Sequence, residues 1–269
     1  MDKDLLKKIL ENKNKKKSFC LIPRADTAET SLVKNKDIEK HKFSKLIKKA
    51  INEDKLILEE INGKEWIFNP FNPPVKLIIV GAVHVAQSLS IIAENANFDV
   101  VIIDPREAFA AQDRFPNNKV ICAWPEDAFK EIQLDERTAV VTLTHEPNLD
   151  DIALKNSLNS KCFYIGALGS KKTHKKRIDR FMQDGFNSDL LKRINGPIGL
   201  PINAQTPQEI AISIMAEIIS SLRYQSSLYQ SQSTYSVVSP IQMASQIEHI
   251  TGFRFTSDGY DMLLSETMG

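Results

Sequence analysis

The sequence predicts an α/β protein in which a Rossmann-like, doubly wound parallel sheet follows a small N-terminal α+β module. From residue 75 onwards, short apolar segments alternate with segments of helical periodicity, which is typical of a parallel sheet covered by helices on both faces. Within residues 75–106, a buried strand, a glycine turn, a helix and a second strand ending in an acid follow one another. That order is typical of a nucleotide-binding βαβ unit.

The pattern of residues 1–70 predicts the small N-terminal α+β module. Helices are expected at 5–10 and 42–52, and a strand at 18–23. Residues 55–68 predict a hairpin, because Asn62-Gly63 is a strong two-residue turn signal. The proline-rich stretch 69–74 predicts a stiff linker to the next domain.

We expect residues 75–224 to form the Rossmann-like domain. Its strands are predicted at 75–80, 98–103, 119–123, 138–144 and 161–166. Its helices are predicted at 84–95, 126–131, 148–158, 171–183 and 207–223. The last helix carries a capping box, with Thr206 as N-cap and Glu209 at the third helical position. Residues 225–269 predict a Ser/Gln-rich linker and a C-terminal tail with one short helix at 240–250.

The turn after the first parallel strand is a candidate cofactor site, formed by Gly81, Ala82, Val83 and His84. In a dinucleotide fold, this turn and the helix after it bind the pyrophosphate, and an acid roughly 20 residues later accepts hydrogen bonds from a ribose. Asp104 is that acid. Val83 stands where the fingerprint has its second glycine, and a β-branched side chain there is expected to obstruct a phosphate and to resist a positive φ. NAD(P) binding therefore stays open.

Three further turns are expected beside the first, because ligands of open α/β sheets bind outside the carboxyl ends of the strands. The second turn contributes Asp104 and Arg106, and the third, 142–146, contributes Thr144 and His145. The fourth precedes a helix that begins with free N–H groups among several cations, which favours a phosphate or carboxylate ligand. Its candidate ligand-binding residues are Gly166, Gly169, Ser170, Lys171 and Lys172.

Charge is segregated along the chain, with a net +8 in the first 50 residues and −7 in the remainder. The lysines are not interleaved with aromatic side chains, so they favour a solvated basic face, and no nucleic-acid partner is expected. A basic-surface interaction protein stays an alternative. No apolar run approaches the ~20 residues that a membrane span needs, so we expect no membrane association and a cytoplasmic protein.

The residues that often carry catalysis or bind metals give no strong pattern. Cys122 and Cys162 lie in predicted strands and are expected to be buried, and the cysteine spacing favours neither a disulfide framework nor zinc. Three histidines, at positions 84, 145 and 174, are expected near one rim, but their spacing matches no metal-ligand motif. Because no nucleophile elbow or acid pair is present either, no catalytic residue and no metal site are predicted.

Several separate motifs resemble those of the XdhC/CoxI family, the accessory proteins of molybdenum hydroxylases such as xanthine dehydrogenase and carbon monoxide dehydrogenase. The motifs occur in the family order as VGAVHVA (80–86), DPREAFA (104–110), RFP (114–116), THEPNLDD (144–151), YIGALGSKKTHKKR (164–177) and GPIGLPINAQTPQEIAISIMAEI (196–218). The sequence departs from the family pattern at Val83 and Asn203, which replace glycines, and in the first-domain loop at 21–29, which lacks a Gly-Ser pair.

The resemblance implies a chaperone that binds the molybdenum cofactor, a phosphate-bearing pterin. Such a protein protects the cofactor while a cysteine desulfurase replaces an oxo ligand with sulfur, and then transfers it to the apo molybdenum hydroxylase. The implied partners are therefore that hydroxylase and the desulfurase, and a homodimer is allowed. On this interpretation the chain is a binder without turnover of its own, and the alternative is an NAD(P)-dependent oxidoreductase.

Overall fold

The computed structural model of the chain describes residues 3–23 and 30–228. These residues form an antiparallel sheet of four strands and a parallel sheet of six. The predicted α/β class, with a Rossmann-like parallel sheet and a small N-terminal α+β part, is confirmed. Most of the predicted linker and the predicted tail helix at 240–250 lie outside the described residues, as does most of the loop at 21–29.

Four strands build the N-terminal sheet, in the order β2-β1-β4-β3. They are β1 (Phe19–Pro23), β2 (Thr30–Lys34), β3 (Ile57–Ile61) and β4 (Lys64–Phe71). Two helices, α1 (Lys3–Asn14) and α2 (Ser44–Glu53), and a short 3₁₀ helix (Asn35–Lys40) accompany the sheet. Helix α2 buries Ile47 and Ala50 against the sheet residues Ile22 and Phe68, because its apolar residues recur on one face.

The predicted hairpin is confirmed, since β3 and β4 pair from Ile57↔Phe68 to Ile61↔Lys64. Asn62 and Gly63 both take positive φ values, of 54° and 70°, as a two-residue hairpin turn requires. Strand β4 continues to Phe71, so residues 69–71 of the predicted linker belong to the sheet. The sequence missed β2, because only Val33 of that strand is buried and the alternation is correspondingly weak.

All pairings in the second sheet are parallel, and its order is β10-β9-β8-β5-β6-β7. Its strands are β5 (Lys76–Val80), β6 (Asp99–Ile103), β7 (Lys119–Ile121), β8 (Thr138–Thr142), β9 (Tyr164–Ala167) and β10 (Ile194–Asn195). Its helices are α3 (His84–Asn95), α4 (Pro125–Glu131), α5 (Pro147–Leu158), α6 (Lys171–Gln183), α7 (Ser188–Leu191) and α8 (Pro207–Leu228). This is the strand order of a dinucleotide-binding fold, and the chain order reverses between β5 and β8.

The parallel sheet is buried on both faces, as the continuous apolar run in β5 predicts. Leu77 and Ile79 pack with α3 and α8, whereas Ile78 and Val80 pack on the other face with α4, α5 and α6. Successive strand residues point to opposite faces, so each strand supplies apolar side chains to both helical layers.

Helices α3 and α6 have the predicted bounds, whereas other boundaries differ. Strand β8 ends at Thr142, two residues earlier than predicted, and α8 continues to Leu228, through the first residues of the predicted linker. The short elements α7 and β10 were not predicted, because two to four residues show no measurable periodicity. Among the described residues, no helix combines the length and the apolar character that a membrane span requires.

Polar contacts join the N-terminal sheet region to the parallel sheet. Lys16 pairs with Asp99 at 2.7 Å, and Arg137 donates to Asp54 at 3.2 Å and to the Pro73 carbonyl at 3.1 Å. The predicted boundary between residues 70 and 75 stays a prediction.

Candidate functional site

Four strands of the parallel sheet end level with one another. Ile103 of β6, Val80 of β5, Thr142 of β8 and Ala167 of β9 are register partners across the sheet. The turns that follow therefore lie at one edge, which we call the carboxyl edge and define as residues 81–84, 104–106, 143–146 and 168–172. Ligands of this fold bind at such an edge, where the chain order reverses.

Gly81 begins the turn after β5 and allows the loop after β8 to approach closely. Its φ is +105°, and a Cβ there would collide with Thr144 Cγ2 and lie 3.2 Å from the Thr144 backbone nitrogen. The Gly81 N–H donates to the Ile103 carbonyl at 2.8 Å. Only glycine combines this backbone conformation with this contact, so Gly81 holds the turns after β5, β6 and β8 together.

Val83 adopts an extended conformation, with φ −84° and ψ 179°. The turn does not require the positive φ that a β-branched residue resists, because its positive φ lies at Gly81 and none lies at Val83. The Val83 side chain packs partly against the core between α3 and the sheet. Its effect on a phosphate at this turn stays a prediction.

Helix α3 begins with free hydrogen-bond donors. Val83 precedes the helix without a side-chain cap, and within the described residues the backbone N–H groups of Val83, His84 and Val85 have no acceptor. The first turn of α3 carries no acidic residue, and the His84 side chain is exposed. A helix N-terminus with unpaired N–H groups attracts an anion through hydrogen bonds and the helix dipole.

Asp104 is fully buried, and its carboxylate holds two turns of the carboxyl edge together. Its Oδ2 accepts from the Ala82 N–H at 2.9 Å and from Arg106 Nη2 at 2.7 Å, while its Oδ1 accepts from Arg106 N and Nε at 3.0 and 2.9 Å. These four bonds fill the usual acceptor capacity of a carboxylate. In this arrangement Asp104 orients the turn, and the predicted bond from Asp104 to a ribose would require it to exchange a partner.

Burial alone would raise the pKa of Asp104, but the hydrogen bonds from Arg106 and Ala82 outweigh it and lower the pKa. Arg106 also donates to Glu146 at 2.8 Å, and its guanidinium lies 4.1 Å from the centre of the Phe109 ring. Arg106 therefore joins the turns after β6 and β8, and its side chain remains 31% exposed at the edge.

Sequence reasoning missed Arg114 as part of this edge. Its Nη1 donates to the carbonyls of Ala82 and Phe109, both at 2.7 Å, and its Nη2 donates to Gln87 at 3.2 Å. Ala82 is thus held at its N–H by Asp104 and at its carbonyl by Arg114. The RFP motif was the only sequence signal for Arg114, and nothing local in it indicates a contact 32 residues earlier in the chain.

The turn after β8 is organised around Thr144. The Thr144 hydroxyl donates to Asp150 Oδ1 at 2.6 Å and accepts from the Glu146 N–H at 3.0 Å. His145 lies between Thr144 and Glu146 in the chain. Its φ is 64°, a left-handed conformation that non-glycine residues seldom adopt. Thr144 is thereby fixed against Gly81, and His145 stands at the carboxyl edge.

The fourth turn differs from the prediction at Gly166. That residue lies inside β9, one residue before its end, and a Cβ there would come within 2.5 Å of Ile198 and 2.8 Å of the Tyr164 ring, so packing requires glycine at this position and its contact with a ligand stays a prediction. Ser170 is the N-cap of α6 and accepts the Thr173 N–H at 3.1 Å, as predicted from its residue type. Gly169, with φ +146°, packs on Thr173, and the Lys171 and Lys172 side chains are exposed.

The three histidines lie in different surroundings. His84 is exposed at the start of α3 and His145 lies in the β8 turn, whereas His174 packs against Gly196, where burial lowers its pKa. Among the described residues, no three His, Cys, Asp or Glu side chains are grouped to hold a metal ion. Cys162 is buried as expected, but the expectation of burial is wrong for Cys122, which follows the end of β7 and is exposed.

Asn203, where the resembled family has glycine, retains the backbone conformation that glycine permits. Its φ is 59°, and asparagine is one of the few residues that adopt the left-handed region readily. The segment before it is anchored by Glu217 of α8, which accepts from Tyr164 and from the Gly199 N–H at 2.9 Å.

The strand order and the glycine turn after β5 define the class of this protein as a Rossmann-type α/β protein. Residues 77–218 match the family described as the XdhC Rossmann domain. This match covers more than half of the 269 residues, and the chain belongs to the XdhC family. The predicted resemblance is confirmed.

Two relatives match the same part of the chain. A probable xanthine dehydrogenase subunit of Bacillus subtilis is 32% identical over 149 residues, which are 55% of this chain and 43% of the relative. The molybdenum cofactor insertion chaperone PaoD of Escherichia coli is 30% identical over 150 residues, which are 56% of this chain and 41% of PaoD. The chain thus spans less than half the length of either relative.

A solved structure is similar in fold to this chain over more residues than the family match covers. The crystal structure of a xanthine dehydrogenase from Bacillus halodurans superposes with a TM-score of 0.66 at 26% identity, over 87% of this chain and 70% of that chain. Because this coverage exceeds the 77–218 match, the similarity of fold includes residues outside the Rossmann domain.

Proposed function

We propose that this protein binds the molybdenum cofactor at its carboxyl edge and acts as an accessory protein in the maturation of a xanthine dehydrogenase-type hydroxylase. Membership of the XdhC family and the names of its two relatives support a role in maturation. In this role the cofactor is cargo, which the protein must hold and then release to the apo-hydroxylase.

The open N-terminus of α3 is the observation that carries the proposal. Three consecutive backbone N–H groups, at Val83, His84 and Val85, have no acceptor within the described residues, and they lie where the chain order of the sheet reverses. The cofactor bears a phosphate on its pterin, and a phosphate needs this donor chemistry. The residues present therefore fit the phosphate of the cargo.

The surrounding side chains support binding without turnover. Asp104 and Arg106 satisfy each other, and Arg114 is committed to backbone carbonyls, so these groups hold the edge in one shape. A preformed edge lowers the ordering cost of binding. We infer that sulfur insertion is carried out by a cysteine desulfurase acting on the protected cargo, in the cytoplasm, and that a homodimer is compatible with this role.

The geometry of Asp104 weighs against the alternative of an NAD(P)-dependent oxidoreductase. That function needs an acidic side chain free to accept from the ribose, whereas both oxygens of Asp104 are occupied by protein donors. The proposed phosphate contact uses backbone N–H groups only, so it does not depend on Asp104 exchanging its partners.

Reconstitution of an apo-hydroxylase tests the proposal. The full chain is co-purified with molybdenum cofactor, its pterin content is measured by conversion to a fluorescent derivative, and hydroxylase activity is followed with and without the protein. We expect close to one cofactor per chain and a higher recovered activity. Reduction of a nicotinamide with a small alcohol or acid at enzyme-like rates, with no pterin bound, would overturn the proposal in favour of the oxidoreductase.

A further inference from the structure

A cavity of about 260 Å³ lies between the β8 turn, α5 and α6, and we call it the α6 cavity. His145 and Asp150 line one side, and Lys172, Lys176 and Arg177 of α6 line the other. Its volume is close to the lower limit of small-molecule sites, about 300 Å³, so it suits a single small group. Of these five residues, only His145 and Lys172 were candidates from the sequence.

Arg177 is a buried cation with donors left over. Its side chain is only 3% exposed, and neither Nε nor Nη1 has a hydrogen-bond partner. Its Nη2 donates to the Leu168 carbonyl at 3.2 Å. Its nearest carboxylate oxygens, Asp150 Oδ2 at 3.8 Å and Asp151 Oδ1 at 4.0 Å, are beyond hydrogen-bond distance. Buried guanidinium N–H groups that lack an acceptor, such as those on Nε and Nη1, cost free energy unless a ligand accepts from them.

The neighbouring carboxylates balance only the two arginines, since Asp150 lies 3.8 Å from Arg177 and Asp151 pairs with Arg180 at 2.8 Å. Asp150 Oδ1 accepts from the Thr144 hydroxyl and N–H, and Asp151 forms a two-pronged pair with Arg180 at 2.8–3.0 Å. Lys172 and Lys176 are exposed at the mouth and have no ion pair within the described part of the chain. The excess of positive charge selects for an anion.

The second carboxylate oxygen of Asp150 favours an anion that carries a proton. Asp150 Oδ2 is also buried and without a partner, and it faces Arg177 Nη2 across 3.8 Å. A carboxylate accepts hydrogen bonds and cannot donate them, so a ligand that contacts both groups must accept from Arg177 and donate to Asp150. A phosphate that keeps one P–OH proton does both, whereas fully ionised sulfate would place an oxygen against the carboxylate.

We propose that the α6 cavity is a binding site for a phosphate group, with Arg177 donating to the phosphate oxygens, Asp150 accepting its P–OH, and Lys172 and Lys176 attracting it at the mouth. Arginine suits this task because its fixed planar donors match phosphate oxygens. The site is distinct from the N-terminus of α3, and phosphate binding there does not depend on the proposed cofactor function.

Calorimetric titration of the full chain with inorganic phosphate and with sulfate, at pH 7.5 and matched ionic strength, tests this site. We expect phosphate to bind more tightly than sulfate. Arg177→Lys should weaken phosphate binding about tenfold, because it removes charge-assisted hydrogen bonds while keeping one charge. Asp150→Asn can still accept from Thr144, and it should reduce the preference for phosphate over sulfate.

Matched pairs of exposed lysines provide the control. Replacing Lys172 and Lys176 together by Ala should weaken phosphate binding about fivefold to tenfold, since each exposed ion pair contributes modestly. Replacing Lys119 and Lys175, which line neither the cavity nor the carboxyl edge, removes the same charge and should leave binding nearly unchanged. The comparison of the two lysine pairs tests the site even if Arg177→Lys fails to fold. Circular dichroism would reveal such a failure.

A competition between phosphate and the molybdenum cofactor identifies the source of the phosphate group. Displacement of phosphate by the cofactor would assign the cavity to the phosphate of the cargo, and simultaneous binding would assign it to a separate phosphorylated ligand. Failure of the cofactor to bind at all would defeat the proposed function and leave this site intact. Equal affinities for phosphate and sulfate, or equal losses in the two lysine pairs, would overturn the site.

Discussion

The carboxylate of Asp104 accepts the backbone N–H of Ala82 at 2.9 Å, across 22 residues of sequence, and so fastens the β5 turn to the end of β6. In a dinucleotide-binding protein the corresponding acid faces the ligand. Here the same position has become part of the framework that holds the turn, and Arg106 completes its hydrogen bonding. This relationship makes the stability of the edge depend on one buried charge.

Asp104→Asn should therefore lower the free energy of unfolding by about 2–4 kcal/mol, because the neutral amide cannot accept both guanidinium bonds of Arg106, which keeps only the exposed Glu146 as a carboxylate partner. Urea unfolding at pH 7 measures this change. Glu136→Gln is the matched control, since it removes an exposed partner of Lys161 and should have no measurable effect. Equal losses in the two variants would contradict a framework role for Asp104.

The contribution of Asp104 should also disappear in acid. Its pKa is lowered in the folded protein, since hydrogen bonds from Arg106 and Ala82 outweigh the effect of burial. A carboxylate with a folded pKa below its unfolded value of about 3.9 stabilises the fold above that pH and loses this effect as the pH falls through the folded pKa. The stability difference between wild type and Asp104→Asn should shrink below about pH 4. A difference that stays constant between pH 7 and pH 3 would refute this assignment.

Gly81→Ala should destabilise the protein by about 3 kcal/mol, because the new Cβ combines a positive φ with a collision against Thr144. Gly63→Ala measures the cost of a positive φ without a collision. Gly63 has φ +70°, and a Cβ added there would meet no atom within 4 Å, so only the backbone cost of about 1 kcal/mol should remain. Adding Thr144→Ser to Gly81→Ala removes the colliding methyl group and keeps the hydroxyl bonded to Asp150, so stability should partly recover. No recovery in thermal melts would show that the loops do not meet at Gly81.

Val83 tests whether a phosphate uses the N-terminus of α3. Val83→Asp should cap the helix with its own carboxylate, raise or maintain the unfolding free energy, and abolish cofactor binding by blocking the N–H groups and repelling the phosphate. Val83→Asn is the neutral control of equal shape and should weaken binding less. Val83→Gly and Val83→Ala should both strengthen binding if the valine side chain narrows the site. Binding that is unchanged in all four variants would place the phosphate elsewhere.

Tyr164→Phe should lower the free energy of unfolding by about 1–2 kcal/mol, because Glu217 then keeps only its bond from Gly199. Burial, together with the Glu217 carboxylate, raises the pKa of Tyr164. A raised folded pKa gives stability that is complete below the unfolded pKa and is lost as the pH rises above it. Wild type should therefore lose this stability above about pH 10, and Tyr164→Phe should not. Parallel stability curves for the two proteins between pH 8 and pH 11 would contradict this prediction.

The sequence by itself determined the alternation of strands and helices, the hairpin at Asn62-Gly63 and the caps at Ser170 and Thr206. The capping box is present as predicted, with Glu209 accepting from the Thr206 N–H at 3.0 Å and Thr206 accepting from the Glu209 N–H at 3.2 Å. These features depend on residues within four positions of one another, where periodicity and turn chemistry act directly. The motifs that identify the family are likewise continuous in the chain.

Only the tertiary structure decided what the side chains of the edge do. It occupied Asp104 with protein donors, buried Gly166 against Ile198, brought Arg114 onto the Ala82 carbonyl and left Nε and Nη1 of Arg177 without hydrogen-bond partners in a cavity. The physical reason is that the hydrogen-bond partners and the burial of a side chain depend on groups distant in sequence. A local sequence pattern contains no information on those groups. The residue types at the edge followed from the sequence, whereas their availability for a ligand followed from the contacts between strands.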